Sequence, residues 1–292
     1  MKTLKVGTRK SPLAMKQAKI VIDLLKKVNP YQTFEIISLS TKGDRNQQAC
    51  LTQIGGKGVF VKEVEHQLQQ GNIDFAVHSL KDMPAHLPEE LVLAATPQRA
   101  NPLDCIIWRE PAIQMKTQKL VIGTSSLRRK KQLQRLFPVL EVMPLRGKIE
   151  TRLEKMVSQR LSGTVLACAG LERMDYFSQL PAYQILSPLE CVPAVGQGIL
   201  GVECRRSDVL LCEYLAEINE PQTAIAAQAE RLFLQKMDGD CEKPVGAFAE
   251  KVDHLWHFYA FLAFNPTAEG HVVHLKGSDV LSLAQQAYQL LG

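Results

Sequence analysis

The chain has 292 residues, 46% apolar and 22% charged, which suits two or three cored domains and excludes a disordered or fibrous protein. Its 35 basic and 30 acidic residues leave a formal charge of +5, too small an excess to require nucleic acid, whose binders carry a basic stripe on a recognisable module. No apolar run reaches membrane-spanning length, and the N-terminus enters a strand pattern without a signal-peptide core, so a cytoplasmic protein with no membrane partner is expected.

Leu4 and Val6 alternate with polar residues as a strand, which Gly7-Thr8-Arg9-Lys10-Ser11-Pro12 breaks. Ser11 before Pro12 predicts a helix start, with Leu13, Ala14, Ala18, Val21, Ile22 and Leu25 on the apolar face. Phe34–Leu39 reads as a second strand and completes a βαβ unit. The stretch from Thr41 to Gly58 is polar and ends in Gly55-Gly56-Lys57-Gly58, the pattern of a mobile loop. A helix over Val59–Gln70 follows and stops at Gly71. Ile73, Phe75 and Val77 then alternate as a strand that delivers His78-Ser79-Leu80-Lys81-Asp82 to its carboxyl end, the edge where open α/β sheets bind ligands.

A second α/β region starts near Asn101-Pro102. Strand Leu120-Val121-Ile122 runs into Gly123-Thr124-Ser125-Ser126 and a helix carrying Arg128 and Arg129. That order of strand, Gly-Thr, serine and helix repeats the one at Val6–Ser11 and hints at two similarly built domains. Two such helix N-termini facing each other across a cleft make a carboxylate trap. Further βα units are Glu141–Leu145 into a helix over Ile149–Leu161, and Thr164–Ala167 into Gly170-Leu171-Glu172-Arg173. Pro193–Gly198 reads as a crossing back to a strand at Ile199–Glu203. After Pro221 a helix (Thr223–Lys236), strands Val245–Glu250, Leu255–Ala263 and His271–Leu275, and a helix from Asp279 describe a small α+β domain.

Lys81-Asp82 is the sharpest chemical feature. A carboxylate among cations stays ionised at neutral pH, and it suits stabilising a transient cation or passing a proton to and from a weakly basic nitrogen. At about 4 Å and an effective dielectric near 20, such a pair is worth roughly 4 kcal/mol before desolvation. As a dipeptide alone it reads first as a surface Lys-Asp turn. Arg9, Arg128, Arg129, Arg146, Arg152 and Arg173 all fall at predicted strand ends or first helical turns. Arginine binds carboxylates bidentately and keeps its charge, so the set points to a ligand with several carboxylates. Lys130, Lys131 and Arg135 read as a solvated helix face.

Seven scattered cysteines form no C-x-x-C pair, against both a zinc ribbon and a disulfide framework. Cys241, in the polar loop Asp238-Gly239-Asp240-Cys241-Glu242, is exposed by its neighbours, and the residues leave reactive and idle roles equally open. His254/His257 and His271/His274 have i, i+3 spacing, but strand residues three apart point to opposite faces, so no metal is expected. Gly55–Gly58 lacks the spacing and trailing Lys-Ser/Thr of a P-loop.

Six stretches, in order along the whole chain, resemble the hydroxymethylbilane synthase (porphobilinogen deaminase) family. They are Gly7–Ala14, Gly55–Phe60, Val77–Pro84, Gly123–Arg129, Leu145-Arg146-Gly147 and Pro193–Gly198. The resemblance implies two periplasmic-binding-protein-like α/β domains flanking a cleft, plus a small α+β C-terminal domain. The expected division is domain 1 at 1–98 and 197–216, domain 2 at 99–196 and domain 3 at 217–292. It also implies a monomer whose dipyrromethane cofactor is joined by a thioether to Cys241. On that primer four porphobilinogen units are condensed with loss of ammonia, and the linear tetrapyrrole is released by hydrolysis.

By the same resemblance, Asp82 is the catalytic residue, stabilising an azafulvene-like cation and managing the pyrrole proton. Lys81, Asp82, Ser126, Arg128, Arg129 and Arg152 are expected around the cofactor. Arg9, Ser11, Gln17, Phe60, Arg146 and Arg173 are expected to serve porphobilinogen and its oligomers, with the loop before Phe60 as a lid. The chain departs from the family's usual pattern at Lys148 and Glu150, which replace asparagine and glycine. It departs again at Asp240, which replaces glycine, and at Gln53, where lysine is common. Glu150 and Asp240 put negative charge near polyanion sites. The rival reading is a non-catalytic two-domain binding protein for a polycarboxylate.

Overall fold

A computed structural model of the chain describes residues 2–40, 61–111, 120–237, 243–264 and 268–292. The chain divides into two compact units, residues 1–100 with 198–231, and residues 101–197 with 232–292.

In unit 1 the strands are β1 (Leu4–Arg9), β2 (Phe34–Leu39), β3 (Phe75–Ser79), β4 (Leu91–Ala95) and β10 (Leu200–Arg205), in the sheet order β2-β1-β3-β10-β4. β2, β1 and β3 are parallel, while β10 returns antiparallel between β3 and β4. Helix α1 (Pro12–Val28) starts as its sequence predicts: Ser11 caps it by accepting from Ala14 N–H at 3.2 Å, with proline in the first turn. Helix α2 (Lys62–Gln69) ends in a Schellman turn. There Gly71 takes φ +72°, its N–H reaches Leu68 O and the Asn72 N–H reaches Gln67 O. The sheet is buried on both faces. Phe75, Val77 and Val202 pack with Val21, Ile22 and Leu25 of α1 and with Leu211 and Leu215 of α6 (Val209–Ala216). On the other face Ala76 packs with Val64 and Leu68 of α2.

Unit 2 carries β5 (Asp104–Trp108), β6 (Leu120–Gly123), β7 (Leu140–Met143), β8 (Gly163–Ala167) and β9 (Ala182–Ile185), ordered β7-β6-β8-β5-β9. Its pattern matches unit 1: three parallel strands, then one reversed strand (β5), then an edge strand (β9) that runs with the first three. The helices are α3 (Leu127–Leu136), α4 (Ile149–Ser158) and α5 (Cys168–Arg173). The repeated Gly-Thr has a steric basis in both units. A Cβ on Gly7 would lie 2.2 Å from Ile73 Cδ1, and one on Gly123 would lie 2.7 Å from Leu145 Cδ2.

Helix α7 (Pro221–Lys236) crosses the boundary between the units along the chain. The remainder of unit 2 is an antiparallel sheet of β11 (Val245–Val252), β12 (Leu255–Leu262) and β13 (His271–Gly277), and helix α8 (Val280–Leu291). The α8 side chains Val280, Leu283, Ala284, Ala287 and Leu291 are buried at helical spacing, and Asp279 caps the helix through the Leu281 and Ser282 N–H groups. No helix among the described residues is long and apolar enough to cross a membrane.

Some boundaries move for local reasons. The helix predicted to Leu161 stops at Ser158, because Arg160 takes φ +53° and the Leu161 N–H turns back to Met156 O. Strands β4, β5 and β9 and helix α6 are additions to the predicted set. β5 is buried along its whole length, so it shows no polar alternation to read. The expectation that the histidine pairs point apart concerned spacing within a strand; between strands, His257 and His274, one from each pair, meet across β12 and β13 at 3.4 Å, with the Tyr259 ring stacked on His274 at 4.2 Å.

Candidate active site

The carboxyl edge of the unit 1 sheet gathers five of the expected residues. β1 and β3 are adjacent and parallel, so Arg9 at the end of β1 and Lys81-Asp82 just past β3 emerge on the same edge. Lys81 and Asp82 lie on one turn of 3₁₀ helix (Leu80–Asp82), and both are half-buried. Ser11 is engaged at the α1 N-terminus. Gln17, buried on α1, donates to Ser79 Oγ at 2.9 Å and ties the helix to the strand that leads into the turn. The Leu80 N–H adds a bond to Ile199 O.

In unit 2 the corresponding edge gathers Ser126, Arg128, Arg129 and Arg146, from the chain just after β6 and β7; Arg173, expected at a strand end or in a first helical turn, instead ends α5. Ser126 caps α3 by accepting from the Arg129 N–H. Arg128 and Arg129, at 6% and 7% exposure, both bind Asp104, which is fully buried. Arg128 Nη1 lies 2.7 Å from Asp104 Oδ2 and 2.6 Å from Val192 O. Arg129 places Nε and Nη2 on Asp104 Oδ1, and Nη1 on Val165 O. Gln197 Nε2 donates to the same carboxylate at 3.0 Å. Burial works against the Asp104 charge, but the two guanidiniums overcome it and hold the carboxyl well below the usual range. Arg128 moves the opposite way: burial disfavours its charge, and Asp104 more than restores it.

The charges around Asp104 do not balance. Two guanidiniums face one carboxylate, and the nearby Cys191 thiol is pushed up to about 12 by burial and by Asp104, so it stays neutral. Among the described residues, one positive charge is left over at the N-terminal turn of a ten-residue helix. Such a place favours an anion. The donor set therefore fits a group bearing carboxylates.

Arg152, in the first turn of α4, donates Nε to Gly147 O at 2.8 Å. Arg173, at the end of α5, is lowered to about 10 by burial, against the pull of Glu172. Of the departures, Glu150 accepts from the Tyr176 hydroxyl at 2.6 Å, so part of its negative charge is already engaged, and that bond raises Tyr176 to about 12. Lys148 is exposed at the α4 N-cap. Phe60, Cys241, Asp240 and Gln53 lie outside the described residues.

Sequence reasoning passed over Asp104, the partner of the arginine pair, because it lies 24 and 25 residues away from them. It also passed over Glu65, His78 and Glu203, which cluster beneath the Lys81-Asp82 turn. The available signal was an acid inside the apolar run Ile199–Cys204.

An α/β protein with basic side chains at the carboxyl edges of two similarly ordered sheets is the class that fold and site define. Residues 4–213 match the family model described as "Porphobilinogen deaminase, dipyromethane cofactor binding domain". The porphobilinogen deaminase of Listeria innocua is 44% identical over 270 residues, covering 92% of this chain and 86% of that protein. That of Streptococcus sanguinis is 43% identical over 296 residues, covering 100% of this chain and 96% of that protein. Among solved structures, the probable amino-acid ABC transporter extracellular-binding protein ytmK of Bacillus subtilis aligns with 80% of this chain and 97% of its own. Its TM-score is 0.46 and its identity 11%. The chain belongs to the porphobilinogen deaminase family.

Proposed function

We propose that Asp82 carries the condensation chemistry of this chain and that the arginines of the second sheet edge hold acid side chains. The enzyme itself follows from its family: a transferase of porphyrin biosynthesis that builds hydroxymethylbilane from porphobilinogen on a dipyrromethane cofactor. When bound, that cofactor supplies the primer on which the pyrrole chain grows.

The observation that carries the reading is the uncompensated positive charge of the Arg128–Arg129–Asp104 group. Arg128, Arg129, Ser126, Lys81 and Arg152 would hold the cofactor's acid groups, with Cys241 as the point of attachment. The Ser126 hydroxyl is already fixed as a cap, and the Asp104 clamp fixes the guanidiniums before any ligand arrives, which lowers the ordering cost of binding. Arg9, Ser11, Gln17, Arg146 and Arg173 would serve the incoming unit or the growing chain, and Phe60 would close over it.

Asp82 would act as an ionised carboxylate, stabilising the positive charge that develops on a pyrrole as ammonia departs and holding the pyrrole N–H proton near its oxygens. Its turn is fixed at both strand and helix through Leu80 and Gln17, so little motion separates the resting position from the working one. The proposed organisation is domain 1 at 1–98 with 197–216, domain 2 at 99–196 and domain 3 at 217–292, in a cytoplasmic monomer that binds no nucleic acid.

Two measurements test this. Intact-mass analysis of protein from a host that makes porphobilinogen should show two linked pyrrole units on Cys241; an unmodified chain removes the primer from the reading. Asp82→Ala should fold and retain the mass adduct while losing at least about a hundredfold in turnover, the usual scale for a positioned acid–base group. Turnover near the unaltered level would take Asp82 out of its role.

A further inference from the structure

Beneath the Lys81-Asp82 turn, unit 1 buries three titratable side chains that the mechanism does not use. His78 is on β3, Glu203 on β10 and Glu65 on α2, with exposures of 5%, 0% and 6%. They meet because of register. Gly201 stands opposite His78 and Glu203 opposite Ala76, so His78 and Glu203 are diagonal neighbours on the sheet face that α2 covers. Glu203 Oε2 lies 3.2 Å from His78 Nε2. Neither oxygen of Glu203, nor Glu65 Oε1, accepts a well-aligned hydrogen bond from the described residues.

Two buried carboxylates, three of whose four oxygens lack a hydrogen-bond donor among the described residues, are costly as two anions. The charged groups around them are few. Lys62, on the helix of Glu65, is exposed; His78 faces both acids from β3; and Arg231 faces Glu203 from α7. A proton on one acid relieves the repulsion between the two carboxyls. Glu65 is where it resides, because burial first and the Glu203 charge second push that carboxyl up to about 7 against the pull of His78 and Lys62.

His78 and Arg231, the two groups that face Glu203, connect to either side of the turn. His78 stands four positions before Asp82 on the strand leading into it. Arg231 Nη2 donates to Ala85 O at 2.9 Å, three positions after Asp82, while facing Glu203. We propose that Glu65, His78 and Glu203 form a proton-holding cluster that positions the Lys81-Asp82 turn, and that loss of the Glu65 proton loosens it. The cluster rests on the role given to Asp82 above. Glu65 gives its proton to solvent base as pH rises. Two anions then repel across the seam between α2 and the β3–β10 pair, and both the His78 and Arg231 anchors shift with them.

The test uses the cofactor-loaded enzyme and its Glu65→Gln and Glu203→Gln variants, with Gln standing for a neutral acid of the same shape. Infrared spectra in D2O should show a protonated-carboxyl band in the unaltered enzyme near pH 6. The band should fade through one ionisation by roughly pH 8 and be absent in Glu65→Gln. Turnover of the unaltered enzyme should fall through the same ionisation with KM little changed, and Glu65→Gln should flatten that fall. Glu203→Gln, which removes the repulsion, should flatten it as well. No titrating band in the unaltered enzyme, or an unchanged pH profile in a folded Glu65→Gln, overturns the proposal. The infrared band does not involve Asp82. If Asp82→Asn turns over normally, the assignment of Asp82 fails and the positioning role fails with it. If Asp82→Asn is inactive but Glu65→Gln follows the unaltered profile, only the cluster fails.

Discussion

The two five-stranded sheets share one strand order and one helix-start device, yet they bury charge of opposite sign. In unit 2 the surplus is a guanidinium: Arg128 and Arg129 against Asp104. In unit 1 the paired groups are carboxyls: Glu65 and Glu203, buried beside His78 and, at Glu203, Arg231. A buried surplus has to be met by something, and its sign decides by what. Positive charge at a sheet edge is met by an anionic ligand, while negative charge under a sheet is met by a proton. On the proposed reading, one scaffold thus serves as a polyanion holder in one unit and as a support for the Asp82 turn in the other.

The largest expected effect tests whether the unit 2 group is a closed clamp. Asp104→Asn keeps the shape and leaves two buried cations with no carboxylate, so about 3–5 kcal/mol of stability should be lost. Urea unfolding followed by unit 2 tryptophan fluorescence, from Trp108 and Trp256, measures it. A loss under about 1 kcal/mol would mean that the arginines find other partners and that the surplus is not fixed.

A second, intermediate effect separates the units by pH. Asp104 has a depressed carboxyl in the fold, so its contribution is present above the unfolded carboxylate range, about 4, and is lost as pH falls below it. Glu65 is the reverse case. Its folded value near 7 stands above its ordinary 4.5, so its contribution is present at low pH and is lost as pH rises between those two values. One proton of linkage changes the folding equilibrium about tenfold per pH unit in that window. Melting temperature against pH should therefore lose its acid limb in Asp104→Asn and its neutral limb in Glu65→Gln. If both variants changed the same limb, the two clusters would not be opposites.

Much of this was legible in the residues, and the remainder was hidden for physical reasons. Ser11-Pro12, Gly71 and the repeated Gly-Thr…Ser marked helix starts, a helix stop and the kinship of the two sheets, because caps and close approaches are local. The arginines were visible as strand-end residues, but their shared partner was not, since Asp104 opens a wholly buried strand and reads as its boundary. The proton-holding cluster was the least visible. Its members come from α2, β3 and β10, up to 138 positions apart, and only the sheet register brings them to one face. Pairing across that distance leaves a trace in sequence only as a misplaced acid, here Glu203 inside an apolar strand.

The smallest expected effect asks whether the likeness of the two units extends to energy. Ser11 accepts from the Ala14 N–H at 3.2 Å and Ser126 from the Arg129 N–H at 3.4 Å, the same capping bond at equivalent helix starts. Alanine at either position should cost about 1 kcal/mol locally. In amide hydrogen exchange that is roughly a fivefold loss of protection at the first turn of α1 or α3, with the opposite unit unchanged. The α3 start carries two cations where the helix dipole is already positive, which is tolerable because Asp104 neutralises one of them. Ser126→Ala should therefore resemble Ser11→Ala while Asp104 is intact and exceed it severalfold in the Asp104→Asn background. Equal losses in both backgrounds would show that the cap and the charge clamp act independently, and the comparison would then be one of shape alone.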